Sequence, residues 1–254
     1  MRFFLYLIFF FQLITEVYSR EIGETEITTE NGIEVYQNEK YYLLKKNVKI
    51  NSDDFVLNGD NVKILFNKDL YDINYIEATG NVSLLSNTYN IEGMGEKLDF
   101  SIDEEIINIQ GINSELITKD ITMFSDKFIE VNNLSGNFLL KGPNSKIIND
   151  DIIIEAVFIE GVYQSIEGKN QIVFLNVYDE TIAYIKNNNT EMYAKNIKFD
   201  EKTSIILLEE SVKIIRDGET ITGDYGTLDT KNNSYKIKSN NSKKVRVVIS
   251  NNDE

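Results

Sequence analysis

Residues 46–66 read KNVKINSDDFVLNGDNVKILF, and residues 80–100 read GNVSLLSNTYNIEGMGEKLDF. A shift of 34 residues carries the first stretch onto the second without a gap. The aligned pairs are Val48 with Val82, Ile50 with Leu84, Leu57 with Ile91, Gly59 with Gly93, Ile64 with Leu98 and Phe66 with Phe100. In both stretches apolar and polar residues alternate between clusters of Asn, Asp, Gly and Ser, which is typical of half-buried antiparallel strands. The chain therefore contains a repeated strand module.

The module recurs near the end of the chain. A further shift of 130 residues aligns Val82 with Val212, Leu84 with Ile214, Ile91 with Ile221, Gly93 with Gly223 and Leu98 with Leu228. The shift of 34 residues is also the length of a helical tetratricopeptide repeat, but the repeated positions here are two apart and many are β-branched. We predict an all-β chain with modules near 46–111 and 192–241 and a divergent middle at 112–191.

The apolar positions change parity inside each module. Leu57 is odd, whereas Val62 and Ile64 are even, so the chain slips by one residue between them. A β-bulge at Gly59-Asp60 would produce this slip, and a bulge repeated in every module would curl an antiparallel sheet into a roll. The absence of a linker rich in Pro, Gly or Ser favours one continuous roll over residues 20–254, with two separate domains as the alternative.

Composition excludes several functions. The chain of 254 residues has no Cys and no His, which removes the usual catalytic triads and zinc sites, so we expect no cofactor, no metal and no enzyme. A net charge of −15 argues against a nucleic-acid partner. Acidic pairs such as Asp53-Asp54 and Asp150-Asp151 leave a carbohydrate-active β-helix open as an alternative, although solvated turn charge explains them more simply.

The first nineteen residues have the outline of a signal peptide. Arg2 precedes a run of about a dozen apolar residues, shorter than the roughly 20 that a membrane-spanning helix needs. Val17 and Ser19 suit a signal-peptidase cut, so we predict cleavage after residue 19 and export to the periplasm. The alternative is an uncleaved anchor at the inner membrane.

Four motifs resemble the OstA-like family of lipopolysaccharide transport proteins, which includes LptA and, more distantly, LptC and the periplasmic part of LptD. Residues 27–35 look like the first strand of that family. Residues 46–50 and 80–84 resemble its "G-N-V-x-hydrophobic" strands, and residues 57–62 and 221–224 resemble its "hydrophobic-x-Gly/Ala-Asp" element. The likeness covers most of residues 25–111 and 192–249 and departs in the middle segment and in total length.

The resemblance implies a V-shaped β-jelly-roll whose interior holds the acyl chains of lipid A and which acts with LptC-like and LptD-like components. It implies an accessible groove lined by Val48, Ile50, Leu57, Val62, Ile64, Phe66, Val82, Leu84, Ile91, Leu98, Phe100, Val212, Ile214 and Ile221. Acyl chains would displace water from such a groove at about 0.8 kcal/mol per buried methylene. The alternative is that these side chains fill a closed core.

Head-to-tail stacking into a bridge between the two membranes is also implied. An unclosed roll has unpaired strands at both ends, which can add to the sheet of another copy. The candidate edge residues are Ile27, Ile33, Val35, Val245, Val247 and Ile249. Nearby charges such as Lys244 and Arg246 suit the opposite role, protection against aggregation. An adhesive or carbohydrate-active β-solenoid and an LptC-like anchored component are the remaining alternatives.

Overall fold

A computed structural model describes residues 22–68, 72–240 and 244–249, and the predicted signal peptide lies outside these ranges. The described chain consists of twenty antiparallel strands and their turns. None of its described segments forms a helix long and apolar enough to cross a membrane. The strands are β1 (Glu26–Thr28), β2 (Ile33–Tyr36), β3 (Tyr41–Asn51), β4 (Val56–Phe66), β5 (Ile73–Ser86), β6 (Ile91–Ser101), β7 (Ile106–Gln110), β8 (Ser114–Thr118), β9 (Ile121–Ser125), β10 (Phe128–Asn132), β11 (Asn137–Lys141), β12 (Lys146–Asn149), β13 (Ile152–Glu155), β14 (Phe158–Ile166), β15 (Lys169–Asn187), β16 (Thr190–Asp200), β17 (Ile205–Arg216), β18 (Glu219–Asp229), β19 (Ser234–Lys238) and β20 (Arg246–Ile249).

The strand pairings form two continuous ladders, which we call the first and second layers. The first layer runs β2, the start of β3, the end of β4, the start of β5, the end of β6, β7, β10, β11, β14, the start of β15, the end of β16, the start of β17, the end of β18 and β19. The second layer runs β1, the end of β3, the start of β4, the end of β5, the start of β6, β8, β9, β12, β13, the end of β15, the start of β16, the end of β17, the start of β18 and β20. Each layer has fourteen strand positions, so the roll is about 60 Å long at about 4.8 Å per strand.

Each long strand passes from one layer to the other at a bend, and the repeated motif explains the bend. Two consecutive residues adopt left-handed backbone at Lys46-Asn47, Gly80-Asn81 and Glu210-Ser211, with φ between 48° and 76°. In the pairing of β3 with β4 these two residues stand opposite a single residue, Asp60, which is a β-bulge. Asn and Gly adopt such backbone most readily, so the "G-N-V" pattern favours the bend at Gly80-Asn81, whereas Glu210-Ser211 adopts it without either residue type. The predicted rolled antiparallel sheet with a bend in the module is confirmed, but the predicted position of the bulge, Gly59-Asp60, is wrong: its two-residue side is Lys46-Asn47 on the partner strand β3.

The middle segment continues both layers with sharper corners. Each crossing here is a break of two to four residues, at 111–113, 126–127, 142–145 and 156–157, which divides what would be one long strand into two short ones. The module is therefore hard to recognise in the middle because its bulges are replaced by short loops. The buried residues still alternate within each short strand.

The N-terminal strand differs from the sequence prediction. Residues 27–35 form two strands instead of one, with β1 at the end of the second layer and β2 at the end of the first. Gly32, with φ of +88°, lies between them. The cause is that β3 bends at Lys46-Asn47, so a chain that follows both halves of β3 must also change layers.

Candidate lipid-binding interior

The space between the two layers is filled by one apolar cluster that extends along the roll. The cluster contains 43 buried residues and runs from Tyr42 in β3 to Leu228 in β18. His and Cys are absent from the sequence, and the described residues contain no group of three or more acidic side chains able to hold a metal ion. The interior offers apolar side chains for contact.

All fourteen predicted groove residues point into the interior, but the accessible groove was not found at these positions. Their exposed fractions are between 0 and 7%. The inward side chains of the two layers pack into one buried cluster. An acyl chain could reach these positions only if the layers separate or if the chain enters from an opening elsewhere.

The predicted residues also form two groups instead of one. Eleven of them, from Val48 to Phe100, lie on β3–β6, while Val212, Ile214 and Ile221 lie on β17 and β18. Between these two groups the interior is lined by residues of the middle strands. The sequence prediction missed them because it used only positions of the repeated module. Period-two alternation in the short middle strands would have found them. They include Ile107, Ile109, Leu116, Ile121, Met123, Ile129, Val131, Leu140, Ile147 and Ile159.

The seam of the roll is the side opposite the bends, where the hairpin turns of the two layers meet. Near the N-terminal end it is closed by aromatic rings. Phe100 of the first layer makes edge contacts with Phe55 and Tyr89 from turns of the second layer, with ring centroids 6.1 and 5.6 Å apart. Tyr42 packs against Phe66 at 5.4 Å. Such ring pairs add about 0.5–1.5 kcal/mol each beyond their buried area.

A hairpin crosses the seam in the middle of the roll. Residues 163–172, the end of β14 and the start of β15, extend beyond the neighbouring strand β11, whose pairing stops at Val162. We call this hairpin the strap. A bulge between Val162 and Tyr163 turns it toward the second layer.

The base of the strap is fixed to the first layer. Tyr163 donates its backbone N–H to the carbonyl of Gly136 at 2.9 Å, and its hydroxyl donates to Asn133 Oδ1 at 3.3 Å. Its ring stacks on Phe138 at 6.4 Å. Burial, and after it the charge of Glu105, raises the pKa of Tyr163 to about 12, so the phenol stays neutral.

The tip of the strap is fixed to the second layer. Asn170 donates its backbone N–H to Asp120 Oδ2 at 2.8 Å. The side-chain amide of Asn149 donates to the carbonyls of Asp120 and Asn170, at 3.0 and 3.1 Å. Lys119 donates to the carbonyl of Gly168. The strap therefore joins turns of both layers across the seam.

Cavities lie on both sides of the strap. On its N-terminal side is a polar cleft of 720 Å³, with Asn90, Glu105 and Gln164 in its wall. On its C-terminal side is an opening of 370 Å³ between the layers, lined by Ile154, Ile172, Leu175, Ile185, Phe199 and Ile206 and rimmed by turn residues of both layers. We call the second cavity the port. A neighbouring cavity of 330 Å³ shares Ile206 and Thr230 with it.

The predicted edge residues lie at the two ends of the layers. Ile33 and Val35 on β2, and Val247 and Ile249 on β20, are 45–66% exposed. Val245 lies beside β20, and Ile27 on β1 is partly buried against the core. Among the described strands β1 and β2 pair only with β3, and β20 pairs only with β18, so each has one free edge.

These features define an antiparallel β-roll with an apolar interior, a strapped seam and free edge strands at both ends. No protein-family model matches the chain, and no curated protein matches its sequence. Among solved structures, the chain is similar to LptH from Pseudomonas aeruginosa, described as the LptA-homologous periplasmic component of the conserved lipopolysaccharide transport device. The identity is 9%, the match covers 90% of this chain and 96% of that one, and the TM-score is 0.23.

Proposed function

We propose that the chain is a periplasmic, non-enzymatic lipopolysaccharide transport protein that shelters the acyl chains of lipid A between its two layers. The observation that carries the proposal is the apolar interior, which extends through the roll from Tyr42 to Leu228. Burial of each acyl methylene there contributes about 0.8 kcal/mol. The OstA-like motifs in residues 27–35, 46–50 and 80–84 support the choice of lipid.

The charge of the protein decides which part of the lipid is bound. The net charge is −15, and Asp150, Asp151 and Glu201 lie at the rim of the port. This charge repels lipid phosphates and favours a mode in which the headgroup stays outside while the acyl chains supply the affinity.

The ends of the roll support a bridge between membranes. Exposed apolar residues on β2 and β20 lie on strands with a free edge, and such edges add strands from another chain. The bridge would consist of head-to-tail copies of this roll over residues 20–254, with an LptC-like partner at one end and an LptD-like partner at the other.

A photo-crosslinking amino acid at Leu98 tests lipid binding, with Lys63 as the control position. Leu98 on β6 is buried between the layers, whereas Lys63 lies on the outer side of β4, two strands away, over the ring of Tyr41. Crosslinks to lipopolysaccharide from Leu98 and none from Lys63 would support the proposal, provided that circular dichroism shows both variants folded.

The alternative is that the interior is only a core and that the roll is an adhesive or carbohydrate-binding scaffold. The low exposure of the fourteen predicted residues favours this alternative. Folded Leu98 and Ile206 variants that never crosslink to lipopolysaccharide would establish it and reject the transport function.

A further inference from the structure

The strap restricts how an amphiphile can move along the roll. A lipid held with its chains between the layers and its headgroup outside must pass through the seam at every position it occupies. The strap spans the seam from Gly136 in the first layer to Asp120 and Asn149 in the second. A molecule that lies on both sides of the seam cannot pass beneath such a bridge while its tip is attached.

The two sides of the strap differ in access to the interior. On the N-terminal side the aromatic contacts of Phe100 close the seam, and core residues such as Ile64 and Ile107 have no exposed surface. On the C-terminal side Ile172, Leu175, Ile185 and Ile206 are 4–8% exposed, and all four line the port. Tyr42, Phe55 and Phe66 at the N-terminal end are also 6–8% exposed, so what distinguishes the C-terminal side is the apolar-lined opening of the port between the layers.

The lining of the port fits a hydrocarbon chain. Its inner wall is aliphatic and aromatic, and its polar residues are at the rim, where Asp150, Asn188 and Glu201 belong to turns and Asn149 and Asn187 end the strands β12 and β15. Its volume of 370 Å³ is within the range of about 300–1,000 Å³ found for ligand pockets. A chain inserted there would continue into the core between β15 and β17.

We infer that hydrocarbon chains enter the roll at the port, and that the strap keeps them out of the N-terminal half until its tip leaves Asp120 and Asn149. This inference rests on the proposed function. It adds a point of loading and a gate that divides the interior into two compartments. Transfer between the compartments requires the hydrogen bonds at the tip to break.

The absence of cysteine allows a reversible test on the full chain. Lys119→Cys with Lys169→Cys places two thiols where the tip meets the second layer, and a short thiol-cleavable bis-thiosulfonate linker then tethers the strap. The matched control is Gln164→Cys with Gln171→Cys, because these residues face each other within the strap and their linker leaves the tip free. The probe is a lysophosphatidylcholine with a diazirine in its acyl chain, used below its micellar concentration, and labelled residues are mapped by mass spectrometry.

We expect label at Ile172, Phe199 and Ile206 in every form of the protein. Label at Leu98 and Phe100 should appear later in the free protein and in the strap-internal control, fall at least tenfold in the tethered protein, and return when a reductant cleaves the linker. Equal labelling of Leu98 with and without the tether, or labelling of Leu98 before Ile206, would overturn the gate. A lack of label at every interior position in all forms would reject the proposed function itself.

Discussion

The backbone N–H of Asn170 lies 2.8 Å from Oδ2 of Asp120, and this hydrogen bond joins residues that are 50 positions apart in the chain. Asp120 belongs to the turn between β8 and β9, whereas Asn170 belongs to the strap, so the contact joins the two layers across the seam. A backbone donor paired with a carboxylate is stronger than a neutral pair, at about 1.5–3 kcal/mol. The attachment of the tip depends on this contact and on Asn149.

Asp120→Ala should therefore loosen the strap without unfolding the roll. The substitution should lower the free energy of local opening at the strap by about 1.5 kcal/mol. Hydrogen exchange at the Asn170 amide should then be roughly tenfold faster. Amides of β4 and β5, remote from the strap, should keep their protection. Asp150→Ala is the control, because its ion pair with Lys169 is solvent-exposed and such pairs contribute about 0–1 kcal/mol. Equal acceleration in both variants would show that the Asp120 contact does not hold the tip.

Alanine substitutions at two glycines of the strap region can distinguish the cost of left-handed backbone from the cost of a steric clash. Gly136 and Gly168 both have positive φ, at +72° and +80°, but a methyl group on Gly136 would lie 2.0 Å from the carbonyl oxygen of Tyr163 while one on Gly168 would meet nothing within 4 Å. Gly168→Ala should cost about 1–2 kcal/mol for the left-handed backbone. Gly136→Ala should cost at least about 1 kcal/mol more, measured by urea unfolding, because the base of the strap must move. Similar losses in the two variants would mean that the Tyr163 contact is easily rearranged.

The pH dependence of stability should have a contribution from Asp179, at the bend of β15. Burial alone would raise the pKa of Asp179, but hydrogen bonds from the backbone and hydroxyl of Thr181 and from the backbones of Ile182 and Val157 outweigh it and lower the pKa below the usual 3.8. Because the folded-state pKa is the lower one, this stabilisation is complete above the unfolded-state value and is lost as the pH falls through the folded-state value.

Asp179→Asn should remove that part of the pH dependence. Urea midpoints measured between pH 2.5 and 7 would fall less steeply below about pH 4 in the variant than in the unchanged protein. Asp229→Asn is a useful comparison, since Asp229 also has a lowered pKa but caps an exposed turn. Parallel curves for the unchanged protein and Asp179→Asn would contradict the role assigned to Asp179.

The sequence was sufficient to predict the roll but not the strap. The change of parity in each module was enough to predict that the strand bends, but it did not show that the extra residue lies on the partner strand, at Lys46-Asn47 or Gly80-Asn81. The strap has no comparable signal, since residues 163–172 alternate around a turn like any other hairpin. Its position depends on Asp120 and Asn149, which are far away in the chain, and on the length by which β14 exceeds its partner β11.

The sequence also could not show how completely the inward-facing side chains are buried. Alternation identified Leu57, Ile64 and Leu98 as inward-facing, and the structure agrees. The distance between the layers decides whether an inward residue lines a groove or fills a core, and alternation carries no information about that distance. Here the inward side chains pack into one buried cluster, and the rings of Phe55, Tyr89 and Phe100 meet at the seam.

We expect copies of the chain to associate through their edge strands. Val247 and Ile249 are 53 and 66% exposed on β20, and we expect Val247→Asp with Ile249→Asp to shift sedimentation velocity profiles from oligomer toward monomer, because like charges on a docking edge oppose strand addition. Leu134→Asp is the matched control: Leu134 is 67% exposed, but it lies in the turn between β10 and β11, away from either edge. A monomeric unchanged protein at high concentration, or equal dissociation in the Leu134 variant, would contradict assembly through β20. Retained lipid crosslinking in the dissociated variant would then separate the binding function from the bridge.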